Sequence, residues 1–152
     1  MAFAQHILAT TDFSPASEKG VRAAAEVAVL TGAGITLVHV FDPAPFAPIA
    51  TRGEELASQL VDEQQLERSI RDALEAVRGN LLAGVKDVSL EVIQSANAAD
   101  AISKRADGAD VDLIVMSTHG RTGLAHLLIG SVAERVVRHA RCAVLTVHSF
   151  VD

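Results

Sequence analysis

The chain has 152 residues, a length at which a domain buries roughly 70% of the surface its unfolded chain exposes, so a single domain over 1–152 is expected to fold without staples. Its formal charge of −6 excludes the Lys/Arg excess that general nucleic-acid binding rests on, and no apolar run reaches the ~18 residues of a membrane span. The lone Cys142 leaves no internal disulfide and no cysteine cluster for a metal, and the segment Met1–His6 lacks the pattern of a signal peptide, so a reducing cytoplasm is expected.

Apolar residues make up 49% of the chain, with no Trp or Tyr and five Phe, which describes a core of Ala, Val, Leu and Ile. Residues 6–10 (HILAT) read as a first strand. A helix follows, with Ser14 as cap, Pro15 in the first turn, Val21, Ala24, Ala25 and Ala28 on one face, and Gly32 and Gly34 ending it. Residues 35–40 (ITLVHV) are a second strand. Three of the four prolines then fall in residues 43–48, an irregular connection.

Residues 54–77 space Leu56, Leu60, Leu66, Ile70, Leu74 and Val77 mostly three or four apart, with seven acids and two arginines largely on the other face of a long amphipathic helix. Residues 88–93 (VSLEVI) alternate with period two, as a strand with one exposed face would. A shorter helix opens near Asn97, with Asp100 in a capping arrangement, and ends about Gly108. Residues 112–116 and 142–147 are apolar on both faces, as strands covered on both sides are. The order βαβαβαβαβ implies parallel strands and right-handed crossovers, hence a three-layer α/β/α sandwich.

In open parallel sheets a ligand binds beyond the carboxyl ends of the strands, where strand order reverses. For a five-stranded order 3-2-1-4-5, that point lies between strands one and four. The segments leaving those strands are Thr10-Thr11-Asp12-Phe13-Ser14 and Ser117-Thr118-His119-Gly120, both rich in small polar residues. The second continues through Arg121 and Gly123 to Gly130-Ser131, where another helix begins. Residues 117–141 carry four arginines against one acid, a local +3 that leaves −9 elsewhere and suits a small anionic ligand.

Glycines let backbone amides approach a phosphate, and a helix start adds unpaired N–H groups. Ser131 has a competing explanation, because Ser131-x-x-Glu134 is a capping box. Asp12 could meet a ribose or an adenine amine, hold Mg²⁺ through a phosphate, or cap the first helix. The chain contains no G-x-x-x-x-G-K-[ST], G-x-G-x-x-G or G-x-S-x-G, which excludes a P-loop, a Rossmann dinucleotide site and a nucleophile elbow. His119 and His126 lack partners at metal-ligand spacing, and His6, His39, His139 and His148 read as edge or surface residues.

The pattern Ser117-x2-Gly120-x9-Gly130-Ser131 resembles the G-x2-G-x9-G-[ST] motif of nucleotide-binding universal stress proteins. Residues 7–14 (ILATTDFS), 37–40 (LVHV) and 130–140 (GSVAERVVRHA) are also similar to that family, so the likeness runs the whole chain. It implies a cytoplasmic homodimer that binds ATP, or AMP or ADP, with or without Mg, and acts in stress response rather than as a fast enzyme.

By position, the resemblance puts Thr10, Thr11, Asp12 and Val40 around adenine and ribose. It puts Met116, Ser117 and His119 beside the nucleoside, and Gly120, Arg121, Gly130, Ser131 and Val132 around the phosphates. The chain departs from the motif at Ser117, whose Cβ would crowd the ribose if that position were left-handed. The apolar edge strand 142–147, without Lys or Pro, argues separately for pairing with a symmetric copy. Two other readings remain: a dimer of this type that binds no nucleotide and acts through protein partners, and an adenylating enzyme, which would need a further acceptor pocket.

Overall fold

The computed structural model describes residues 3–44, 53–108, 111–119 and 129–148, with residues 53–62 described by backbone only. In chain order it forms β1 (His6–Thr10), α1 (Pro15–Thr31), β2 (Gly34–Phe41), α2 (Gly53–Leu81), β3 (Val88–Gln94), α3 (Ala98–Asp107), β4 (Leu113–Ser117), α4 (Ser131–His139) and β5 (Ala143–Val147). The five strands make one parallel sheet in the order β3-β2-β1-β4-β5. The chain steps outward from β1 through β2 to β3, then returns to place β4 on the other side of β1. That reversal sets the switch point between β1 and β4.

Local signals place the helix ends. The Ser14 hydroxyl accepts from the Ser17 amide, Pro15 sits where its missing N–H costs nothing, and Gly32 closes α1 in the left-handed conformation at φ 77°. Asn97 caps α3 by accepting from the Asp100 amide, and Gly108 ends it. Gly34 differs from expectation: it belongs to β2, where its amide donates to the Gln5 carbonyl (2.9 Å). One left-handed residue suffices to end α1, so Gly34 is left to begin the strand.

The period of two along the strands divides the core into two layers. Ile7, Ala9, Ile35, Leu37, Leu113 and Val115 pack against Val21, Ala24 and Ala28 of α1 and Ile70 and Leu74 of α2. Leu8, Val38, Ile114 and Met116 face the other way, onto Ala99, Ile102 and Ala106 of α3 and Ala133 and Val136 of α4. Leu8 and Ile114 are fully buried, each contributing roughly 1.5–3 kcal/mol by transfer from water. Close approach of α1 to β4 needs Gly20, where a Cβ would lie 3.0 Å from the Ser117 nitrogen and 3.2 Å from the Met116 carbonyl carbon.

β5 is not covered on both sides as its apolar sequence suggested. Ala143 and Leu145 are exposed and the rest of the strand is half-buried. The strand ends the sheet, so among the described residues no further strand pairs with its outer edge. Nor is His39 a surface residue: it is 8% exposed, and its Nδ1 bonds the Thr11 carbonyl at 2.8 Å.

Candidate functional site

β1 and β4 are adjacent and parallel, but the chain leaves them toward opposite layers, α1 on one face and α4 on the other. The gap between the departing segments is a cavity of about 330 Å³. Thr10, Thr11 and Asp12 line it from β1, and Met116, Ser117 and His119 from β4. Val40 and Val38 come from β2, and Gly130, Ser131 and Val132 from the start of α4. Ten of the twelve residues singled out in the sequence therefore share one cavity. Gly120 and Arg121 lie outside the described residues, as do Gly123 and His126.

The β1 side is a hydrogen-bonded turn. Asp12 Oδ1 accepts from the Ser14 amide (2.9 Å) and from the Ser14 hydroxyl, and Ser14 in turn caps α1. Asp12 is thus one step removed from the capping role considered for it: it orients the residue that caps. The Thr11 hydroxyl accepts from the Phe13 amide (3.0 Å) and bonds the Ser17 hydroxyl (3.1 Å). Phe13 is held at φ 64°, a conformation that costs a non-glycine residue of order 1–2 kcal/mol. These bonds and its ring contact with His39, at 4.6 Å between centroids, hold it there.

The β4 side is built differently. The Gly130 amide donates to the Thr118 carbonyl at 2.5 Å, closing the neck of the excursion between them. A Cβ on Gly130 would stand 2.5 Å from that same oxygen. Glycine is required here by the chain's own backbone, apart from any ligand. The Ser117 hydroxyl donates to the His119 carbonyl (2.8 Å), and the Thr118 hydroxyl bonds His119 Nδ1 (2.9 Å). Among the described residues Phe13 is the one non-glycine at positive φ, so Ser117 takes ordinary backbone geometry and its Cβ brings no left-handed strain.

The capping box at Ser131 does not form. The residue preceding α4 is Gly130, extended at φ −72°, ψ 159°, whose carbonyl accepts from the Glu134 amide (2.9 Å), and no side chain caps the helix. Ser131 is already the first helical residue, one place too far along for its hydroxyl to reach the third amide. The amides of Ser131, Val132 and Ala133 open the helix without intrahelical acceptors, at the positive end of its dipole. All three residues line the cavity.

An apolar wall completes it, from Val38, Val40, Ile102 and Met116. Val38 was legible in principle, since it lies two residues before Val40 and so on the same face of β2. Ile102 was not, because only packing brings α3 over the strand ends. Among the described residues no group of three or more His, Cys, Asp or Glu is arranged to hold a metal, and no helix is long and apolar enough to cross a membrane.

Comparison with known proteins gives this geometry a lineage. The model of the universal stress protein family matches residues 4–148. A universal stress protein of Methanocaldococcus jannaschii is 34% identical over 142 residues, covering 93% of this chain and 80% of that protein. The solved structure of the hypothetical protein MJ0577, 24% identical, superimposes with a TM-score of 0.82 over 100% of both chains. A universal stress protein solved in complex with cAMP is 25% identical, with a TM-score of 0.61 over 95% of this chain and 97% of that one. The chain belongs to the universal stress protein family.

Proposed function

We propose that the cavity binds an adenine nucleotide, ATP or its hydrolysis products AMP or ADP, and that the protein acts as a regulatory homodimer in stress response. The observation that carries this reading is the open start of α4. Ser131, Val132 and Ala133, whose amides lack intrahelical acceptors, line a cavity that also has an apolar wall, which suits phosphates at one end and a planar base at the other. The relative solved with cAMP supports an adenine ligand. Thr10, Thr11, Asp12 and Ser117 would meet the ribose, with Val40 and Met116 against the base, His119 beside the nucleoside, and Gly120, Arg121, Gly130, Ser131 and Val132 around the phosphates.

Magnesium would arrive on those phosphates. Oδ1 of Asp12 is engaged by Ser14, so Asp12 would supply at most one further ligand. Hydrolysis would be slow at most, because Thr11 and Asp12, the side chains placed to act on a water, are engaged within their own turn. Pairing of β5 with its copy would cover the exposed Leu145 and, on α4, Val137. The cytoplasm is the expected compartment.

Proline at position 131 separates ligand binding from folding. It suits the first helical position, and Gly130 already has the extended geometry that a following proline demands. Ser131→Pro should therefore fold with an unchanged Tm while losing one amide donor and the hydroxyl. Calorimetry with Mg-ATP should show binding to the parent chain and at least tenfold weaker binding to Ser131→Pro. No heat with ATP, ADP or AMP on the parent chain would favour the partner-only reading instead.

A further inference from the structure

Beyond the cavity, a groove follows the seam between α3 and α4. Its near part, about 310 Å³, shares Ala98, Ser131 and Val132 with the cavity and is bordered by the first turns of both helices. Its far part, about 200 Å³, is lined by Asn97, Ala99, Asp100, Ser103, Arg135 and His139. That volume exceeds the ~30 Å³ share of one water several-fold.

Ser103 is 7% exposed, and its Oγ is buried with no hydrogen-bond partner among the described residues. Buried hydroxyls are nearly always satisfied, so one left open onto a polar groove points to something that fills it. Arg135 stands one turn beyond Ser131 on α4 and makes no ion pair among the described residues. The acids near it are already engaged: Glu134 with Arg138 (2.8 Å), and Asp100 with Lys104 (2.9 Å). His139 Nδ1 donates to the Arg135 carbonyl (2.7 Å), fixing the ring at the groove's rim. The groove thus gathers a buried hydroxyl, an arginine and, beside the Asn97 cap on the Asp100 amide, the amides of Ala98 and Ala99 in the first turn of α3, with its one carboxylate paired to Lys104.

We propose that the far end of this groove is a second subsite, for a small free oxyanion of the phosphate class, held by Arg135, the Ser103 hydroxyl and the first turn of α3. It does not depend on nucleotide binding in the cavity. The test is a titration of the full chain with inorganic phosphate in an oxyanion-free buffer, followed by calorimetry, on the parent, Arg135→Gln and Ser103→Ala. Both substitutions are expected to fold, since Arg135 is exposed and alanine favours a helix interior.

Saturable binding is expected in the parent. It should weaken at least tenfold in Arg135→Gln and several-fold in Ser103→Ala, and persist when ATP is present in excess. Absence of saturable binding, binding equal in all three chains, or complete displacement by ATP would each overturn the proposal. The last would mean that phosphate was reporting the nucleotide cavity. A chain that ignored ATP but bound phosphate with this sensitivity would sink the nucleotide reading and leave the subsite standing.

Discussion

The segments leaving β1 and β4 sit side by side at the switch point and solve opposite problems. Residues 10–14 spend their polar groups on one another: Asp12 on Ser14, Ser14 on Ser17, Thr11 on Phe13 and Ser17. Residues 117–131 close their neck with one backbone bond from Gly130 to Thr118 and then start a helix with no cap. The first wall is satisfied by itself and fixed in place. The second keeps its strongest donors in reserve, and a helix start left in that state is what an anionic ligand can use.

Substitutions on the two walls should separate these roles. The largest effect is expected at the neck: Gly130→Val forces a Cβ onto the Thr118 carbonyl and should destabilise the ligand-free protein by about 1–3 kcal/mol, read as a lowered Tm. A normal Tm would mean that the neck is not pinned as described. On the opposite wall, Ser14→Ala removes both the α1 cap and the partner of Asp12, and should cost ~1 kcal/mol in denaturant unfolding, again without ligand.

A smaller, pH-dependent effect belongs to the far ends of the same two strands. There the exposed Asp112 accepts from the Gln5 (2.7 Å) and His6 (2.9 Å) amides. Those bonds, Gln5's first, hold its carboxyl below the ordinary value of 3.8. A lowered folded-state pKa gives stability that is present above the unfolded value and lost as pH falls through the folded one. Acid unfolding of the parent and Asp112→Ala should therefore differ most near neutrality, and the difference should shrink as pH falls below 3.8 and through the lowered folded-state value. A constant offset would show that ionisation of Asp112 is irrelevant.

The smallest effect is expected at Ser131→Ala, which should leave the ligand-free Tm unchanged, because the hydroxyl caps nothing. A drop equivalent to ~1 kcal/mol would restore the capping box.

What was legible in the sequence follows the range of the forces involved. Strand order, the Ser14-Pro15 and Asn97 helix starts and the gathering of the site residues all rest on local spacing, on β/α alternation or on the family motif. Much of the rest turns on contacts between distant segments. Gly130 is glycine because Thr118 lies against it, and Gly20 because β4 lies against α1. His39 is buried because its ring meets Phe13 and its Nδ1 the Thr11 carbonyl, neither of which its place in an apolar strand announces. The capping-box alternative for Ser131 misses by a single position, since the motif S-x-x-E looks the same whether the helix starts before or after its serine. That one-residue shift is what turns a capping hydroxyl into a donor available to a ligand.

The most direct test of the contrast between the walls is amide NMR of the chain titrated with Mg-ATP. The Ser131 and Val132 amides should show the largest shifts, while those of Phe13 and Ser14, already bonded to Thr11 and Asp12, should barely move. Large shifts at Phe13 and Ser14 with Ser131 and Val132 unmoved would contradict it.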